Sequence, residues 1–188
     1  MANSAVTENA LANSLKKLMR THSINHIHVK MITDDCGCTR HTFYNHFHDV
    51  YELLGWMYNR EIIEGVDRYC TLDQWKKGLQ LILEYTADNR HICLNTFHSL
   101  GRDHLEAFLY RVFYRFLKNV IDDISENMRL SEEIRVECCE FYANALIGIF
   151  ISWLKRDLRE TPQQILRQID RMISGNIVFT LKKFDENK

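Results

Sequence analysis

Apolar residues recur along this chain at spacings of three and four, and that rhythm predicts a series of helices. Ala10, Leu11, Leu15, Leu18 and Met19 make one stripe, which places a first helix at 7–21 with Thr7 as its cap. After the polar stretch from His22 to His28, a short helix fits 29–35, with Met31 and Ile32 turned inward. Cys36-Gly37-Cys38 breaks it, and Gly37 suits the positive φ of a tight turn. Thr39 caps a third helix over 40–47, whose Phe43 and Phe47, four apart, face a small core.

Six more helices are expected beyond residue 48. They cover 49–68, 71–87, 89–100 (ended by Gly101), a long one over 102–128, one capped by Ser131, and one restarted by Thr161-Pro162. The long helix has a wide apolar face, from Leu105 and Phe108 to Ile121 and Ile124, and reads as the buried centre of the larger part. The fold class is therefore all-α, with about nine helices. It divides into an N-terminal three-helix helix-turn-helix head at 1–48 and a helical body at 49–188.

Composition supports that division. One proline and seven glycines in 188 residues favour long helices over a many-stranded fold, and 46% hydrophobic residues suffice for a sizeable core. No apolar run of about 18 residues spans a membrane, and the first residues lack a signal peptide's basic start and apolar stretch. A cytoplasmic location follows as an expectation. The six cysteines fit reduced thiols there. Their C-x-C and C-C spacings are not those of a zinc site, and neighbouring helical cysteines point about 100° apart. No cofactor and no metal ligands are expected.

Net charge is −1, but residues 1–50 carry five basic and four acidic side chains, and six of the nine histidines. Two short helices about a glycine turn, the second polar on one side, make a helix-turn-helix, whose second helix enters the major groove. Its outward residues here are Arg40, His41, Thr42, Tyr44, Asn45 and His46. Arg40 can pair with a guanine edge and Asn45 with an adenine edge, while hydroxyls such as those of Thr42 and Tyr44 hold phosphates.

The run Cys36-Gly37-Cys38-Thr39-Arg40-His41-Thr42-Phe43-Tyr44-Asn45-His46-Phe47, followed by Glu52-Leu53-Leu54, resembles the TetR family of transcriptional regulators over about residues 7–55. The resemblance implies that Tyr44 and His46 hold backbone phosphates at the groove edge, and that Thr39 caps the reading helix. Two positions depart from the family. Val50 stands where a phosphate-gripping lysine is usual, and His28 where a threonine usually starts helix 2; Lys30 offers compensation. The runs 49–56, 95–105 and 145–154 are similar to the branch of regulators of dihydroxyacetone kinase operons.

The resemblance also implies a homodimer on double-stranded operator DNA, formed by the last two helices. Phe141, Ala145, Ile149, Trp153, Ile169, Met172 and Ile173 are its candidate interface, on helices apolar nearly all round. Family members respond to small molecules, and Tyr85, His91, His98, His104 and Tyr110 are candidates to line such a pocket. A partner protein in place of a small effector is a second possibility for the same body. An enzyme is disfavoured, since no glycine-rich phosphate loop, H-E-x-x-H or G-x-S-x-G occurs. The rival reading is a metal- or redox-responsive sensor built on the Cys and His residues.

Overall fold

The computed structural model describes residues 2–99 and 102–185, with backbone alone for Ala2, Asn3, Ile63 and Arg102. Among them are eleven α-helical segments and no strand: α1 (Ala2–Leu18), α2 (Val29–Cys36), α3 (Arg40–Tyr44), α4 (Val50–Tyr58), α5 (Glu64–Val66), α6 (Trp75–Asp88), α7 (Arg90–Phe97), α8 (Arg102–Ile124), α9 (Glu132–Lys155), α10 (Pro162–Ile173) and α11 (Asn176–Lys183). A π-helical stretch, Asn59–Ile63, joins α4 to α5, and only Ser174 and Gly175 part α10 from α11. As continuous rods these make nine, and the fold is all-α. None is long and apolar enough to cross a membrane. The break expected at Gly101, with Leu100 before it, lies outside the described residues.

Helix α1 starts earlier than its stripe suggested. Neither glycine nor proline precedes Thr7, so Thr7 lies inside the helix and does not cap it. The longer body helices follow their caps. Ser131 accepts from the Ile134 N–H, and Thr161 forms a capping box with Gln164, with Pro162 at the first helical position.

Packing groups the described residues up to Glu61 with those between Asn89 and Leu105, and the remainder into a second unit. The first unit therefore contains more than the head expected at 1–48: α4 and α7 pack within it. Its core is fully buried Leu11, Leu15, Met19, Ile32, Phe43, Leu53 and Met57. The buried Ser14 hydroxyl ties α1 to α2 by donating to the Ile32 carbonyl at 3.0 Å. Asn95 of α7 makes three hydrogen bonds to the end of α1 and the turn after it. It accepts from the Ile24 N–H at 2.9 Å and donates to the carbonyls of Met19 and His22 at 2.9 and 2.7 Å.

In the second unit α6 packs against α10, and α9 against α10 and α11. Gly78 lets α6 approach closely, since a Cβ there would lie 2.9 Å from a ring carbon of Phe116. Trp153 is completely buried, its indole N–H donating to the Glu160 carbonyl across the turn between α9 and α10. Ile169 and Ile173 are likewise buried in this chain's own core, at 2% and 6% exposure. Those three were expected at a dimer interface and are corrected to intrachain core. The apolar face of α10 is satisfied by α6, a partner that periodicity alone does not reveal.

Candidate nucleic-acid interface

The helix-turn-helix is built by local backbone chemistry. Gly37 ends α2 at φ 69°, in the left-handed region where glycine carries no Cβ penalty. The Cys38 N–H reaches back to the Thr33 carbonyl at 2.9 Å, closing the turn. Thr39 then caps α3, its hydroxyl accepting from the Thr42 N–H at 3.0 Å and lying 2.9 Å from the Thr42 hydroxyl. Those two hydroxyls hold the start of α3 in place as well as lining its surface.

The inward side of α3 is anchored by Phe43, fully buried, with its ring centroid 5.9 Å from that of Phe47. Phe47 in turn meets Trp56 of α4 edge-on at 5.9 Å. Asp49 caps α4 by accepting from the Glu52 N–H, while the Glu52 carboxylate accepts from the His48 N–H. Helix α3 is thus pinned from beneath, and its opposite side is open. Arg40, His41 and Asn45 are exposed, Tyr44 is 57% exposed, and Thr42 is half-buried.

An open cleft of about 420 Å³ runs beside this helix. Lys30, Arg40 and Tyr44 line it together, with Asn25, His28, His48, Asp49 and Tyr51. The sequence reading missed Asn25 and His48 and counted His28 only as a lost threonine. The crowding of histidines into the first 50 residues was the available signal. Val50, at the usual lysine position, is buried and reaches no groove. His46 departs from expectation: it is half-buried, with Nδ1 3.3 Å from the Glu8 carboxylate of α1. One ring nitrogen is thus engaged within the chain, where it ties α1 to the end of α3.

The five expected ligand residues divide between the two units. His91 and His98 line a cleft of the first unit. His104 stacks flat on Tyr51 in the same unit, with centroids 4.7 Å apart. Tyr110 stacks on Tyr114 in the second unit, and Tyr85 is half-buried on α6 there. The second unit holds an apolar cavity of about 30 Å³ beside Trp75, Phe116 and Ile173, room for a group the size of one water.

Cys93 is buried, and that burial pushes its thiol up to about 12; Cys139 is raised to about 11 for the same reason. Both stay protonated and weakly nucleophilic at neutral pH. Cys36 and Cys38, half-buried, flank Gly37, and burial with the neighbouring Cys38 thiol raises Cys36. Among the described residues no three of His, Cys, Asp and Glu come together as a metal-binding group.

Several known proteins share this architecture. The structure superposes on the dihydroxyacetone kinase operon activator DhaS with a TM-score of 0.71, at 23% identity, over 97% of this chain and 99% of that one. It superposes on NalD, the secondary repressor of the MexAB-OprM multidrug efflux pump in Pseudomonas aeruginosa, with a TM-score of 0.62 at 14% identity, over 98% and 100%. At such identities the likeness is one of fold. In sequence the chain is 30% identical over 90 residues to the HTH-type dhaKLM operon transcriptional activator DhaS of Lactococcus lactis subsp. lactis (strain IL1403). That stretch covers 48% of each protein, so the match spans about half the length of this relative. Residues 73–175 match the TetR-type family described as "Transcriptional regulator C-terminal region". Because that region takes in more than half of the chain, the protein belongs to the TetR family of transcriptional regulators.

Proposed function

We propose that this protein is a homodimeric regulator that reads a pseudo-palindromic operator with α3 and answers to a small effector or a protein partner. The observation that carries the reading is the open polar side of α3. Arg40, Tyr44 and Lys30 meet there in one cleft, while Phe43 and Phe47 fix the helix from behind. Such a rod suits the major groove, with Arg40 and Asn45 at base edges and Tyr44, Lys30 and Thr42 at phosphates.

The dimer is supported by aromatic surface left uncovered in one chain. Phe141 is 68% and Phe179 72% exposed, and Met172 is also open. The Tyr142 hydroxyl meets the Thr180 hydroxyl at 3.2 Å, tying α9 to α11 and leaving Phe141 and Phe179, one residue before each, pointing outward. Ala145 and half-buried Ile149 continue that side of α9. A second copy related by two-fold symmetry covers such a face and sets two reading helices on successive grooves. The similarity to an operon activator in Lactococcus lactis adds support for operator binding.

Selection of bound duplexes from a random library tests the reading and is expected to return an inverted repeat. On that repeat, Tyr44→Ala weakens binding across sequences, and Arg40→Ala also relaxes preference at one base pair. A pool without symmetry, or wild-type binding by both variants, refutes the role of α3.

A further inference from the structure

A second cleft of the first unit lies between the end of α1 and α7, with a volume of about 480 Å³. Arg20 and His22 come from one side, and Arg90, His91 and His98 from the other, with Thr21, Ser23 and Asn95 between them. No lining residue is acidic, and none is shared with the cleft beside α3. The whole chain carries a net charge of −1, so this meeting of two arginines with three imidazoles does not follow from general basicity.

The walls are fixed to each other before anything binds. Asn95 takes the Ile24 N–H and gives to the Met19 and His22 carbonyls, so the turn carrying Arg20 and His22 cannot drift from α7. The His22 ring is oriented further by its contact with the Thr21 hydroxyl, 2.9 Å from Nδ1. A preformed cleft lowers the ordering cost of binding. Guanidinium groups are permanently charged forks that match phosphate oxygens two at a time.

We propose that this cleft binds a compact, multiply charged phosphate compound, with Arg20 and Arg90 gripping it from opposite walls. The imidazoles of His22, His91 and His98 and the hydroxyls of Thr21 and Ser23 complete the contacts. The site bridges α7 and the turn leading into α2, so its occupant adds a charged link across a joint that Asn95 already holds. The effect on operator affinity rests on the function proposed above, whereas the binding itself does not.

Pyrophosphate is the probe. Isothermal titration of the full-length protein, at an ionic strength held constant with sodium chloride, is expected to show one saturable site per chain. Arg20→Gln combined with Arg90→Gln weakens it by at least about tenfold, from the loss of two charge-assisted contacts. Arg159→Gln, at an exposed position in the turn before α10, leaves it unchanged. If the double variant melts early, His91→Gln takes its place and is expected to lower affinity at an unaltered melting temperature. Heat indistinguishable from added chloride overturns the proposal, as does undiminished binding by the folded variants. Loss of non-specific duplex binding with pyrophosphate binding intact also overturns it, and makes the cleft a DNA-backbone contact. If pyrophosphate binds but operator affinity does not change, the site stands and its coupling to the head is refuted.

Discussion

Single side chains carry consequences that their sequence neighbourhoods do not announce. Asn95 sits on α7 yet satisfies backbone groups of Met19, His22 and Ile24, more than 70 positions away. Alanine there strands the N–H of buried Ile24 and costs about 1–3 kcal/mol, to be read from urea unfolding midpoints. Asn95→Asp is worse, because an oxygen then faces two carbonyls. Unchanged midpoints for both variants would show that the clamp contributes nothing. Nothing in the spacing of the chain pairs residue 95 with residue 24. His46 is a similar case: sequence puts it on the open side of the third helix, but the chain turns at Asn45 and delivers it to Glu8.

At the scale of helices, close packing and surface charge set the tolerances. The missing Cβ of Gly78 is what allows α6 to lie against Phe116 and Tyr69, at 2.9 and 3.2 Å from where that carbon would be. Gly78→Ala improves helix propensity, but Phe116 is buried and cannot swing away. A net loss of about 1–3 kcal/mol is expected from overpacking, seen as a lower melting temperature; a rise would show that the pair of helices can part without cost. In the first unit, Lys17 of α1 lies 2.5 Å from the Asp35 carboxylate of α2. That ammonium first, and Ser14 second, hold Asp35 below its ordinary value of 3.8. In the second unit Lys76 of α6 does the same for Asp170 of α10. A depressed carboxyl stabilises the fold at neutral pH, and the gain disappears as pH falls through its folded value. Stability is therefore expected to drop below pH 3.8, and Lys17→Gln with Lys76→Gln should flatten that acid limb. An identical acid limb in wild type and variant argues against both pairs.

For the whole molecule, the decisive quantity is the apolar face left open by one chain. Phe141 and Phe179 are each more than two-thirds exposed, so glutamate at both positions disturbs the single chain little. Phe141→Glu with Phe179→Glu is expected to sediment as a monomer with wild-type helicity, and to lose operator affinity together with its symmetry. A variant that stays dimeric moves the contact to another surface. Replacing Trp153 has the opposite signature: it is 0% exposed, and its loss unfolds the chain by about 3–5 kcal/mol through the cavity left behind.

The sequence by itself determined most of the helices, the glycine turn, the Thr39 and Ser131 caps, the restart at Thr161-Pro162, and the polar side of α3. Each rests on backbone preference or on contacts within a few residues, which spacing records directly. Tertiary structure alone decided which apolar stripes meet inside the chain. It turned Ile169 and Ile173 inward and left Phe141 outward, although all three fall on the apolar stripes of their helices. It also divided the five expected ligand residues between two packing units and joined Arg20 to Arg90 across a cleft. The physical reason is that burial is non-directional: an apolar face must be covered, and only the arrangement of the other helices says by what.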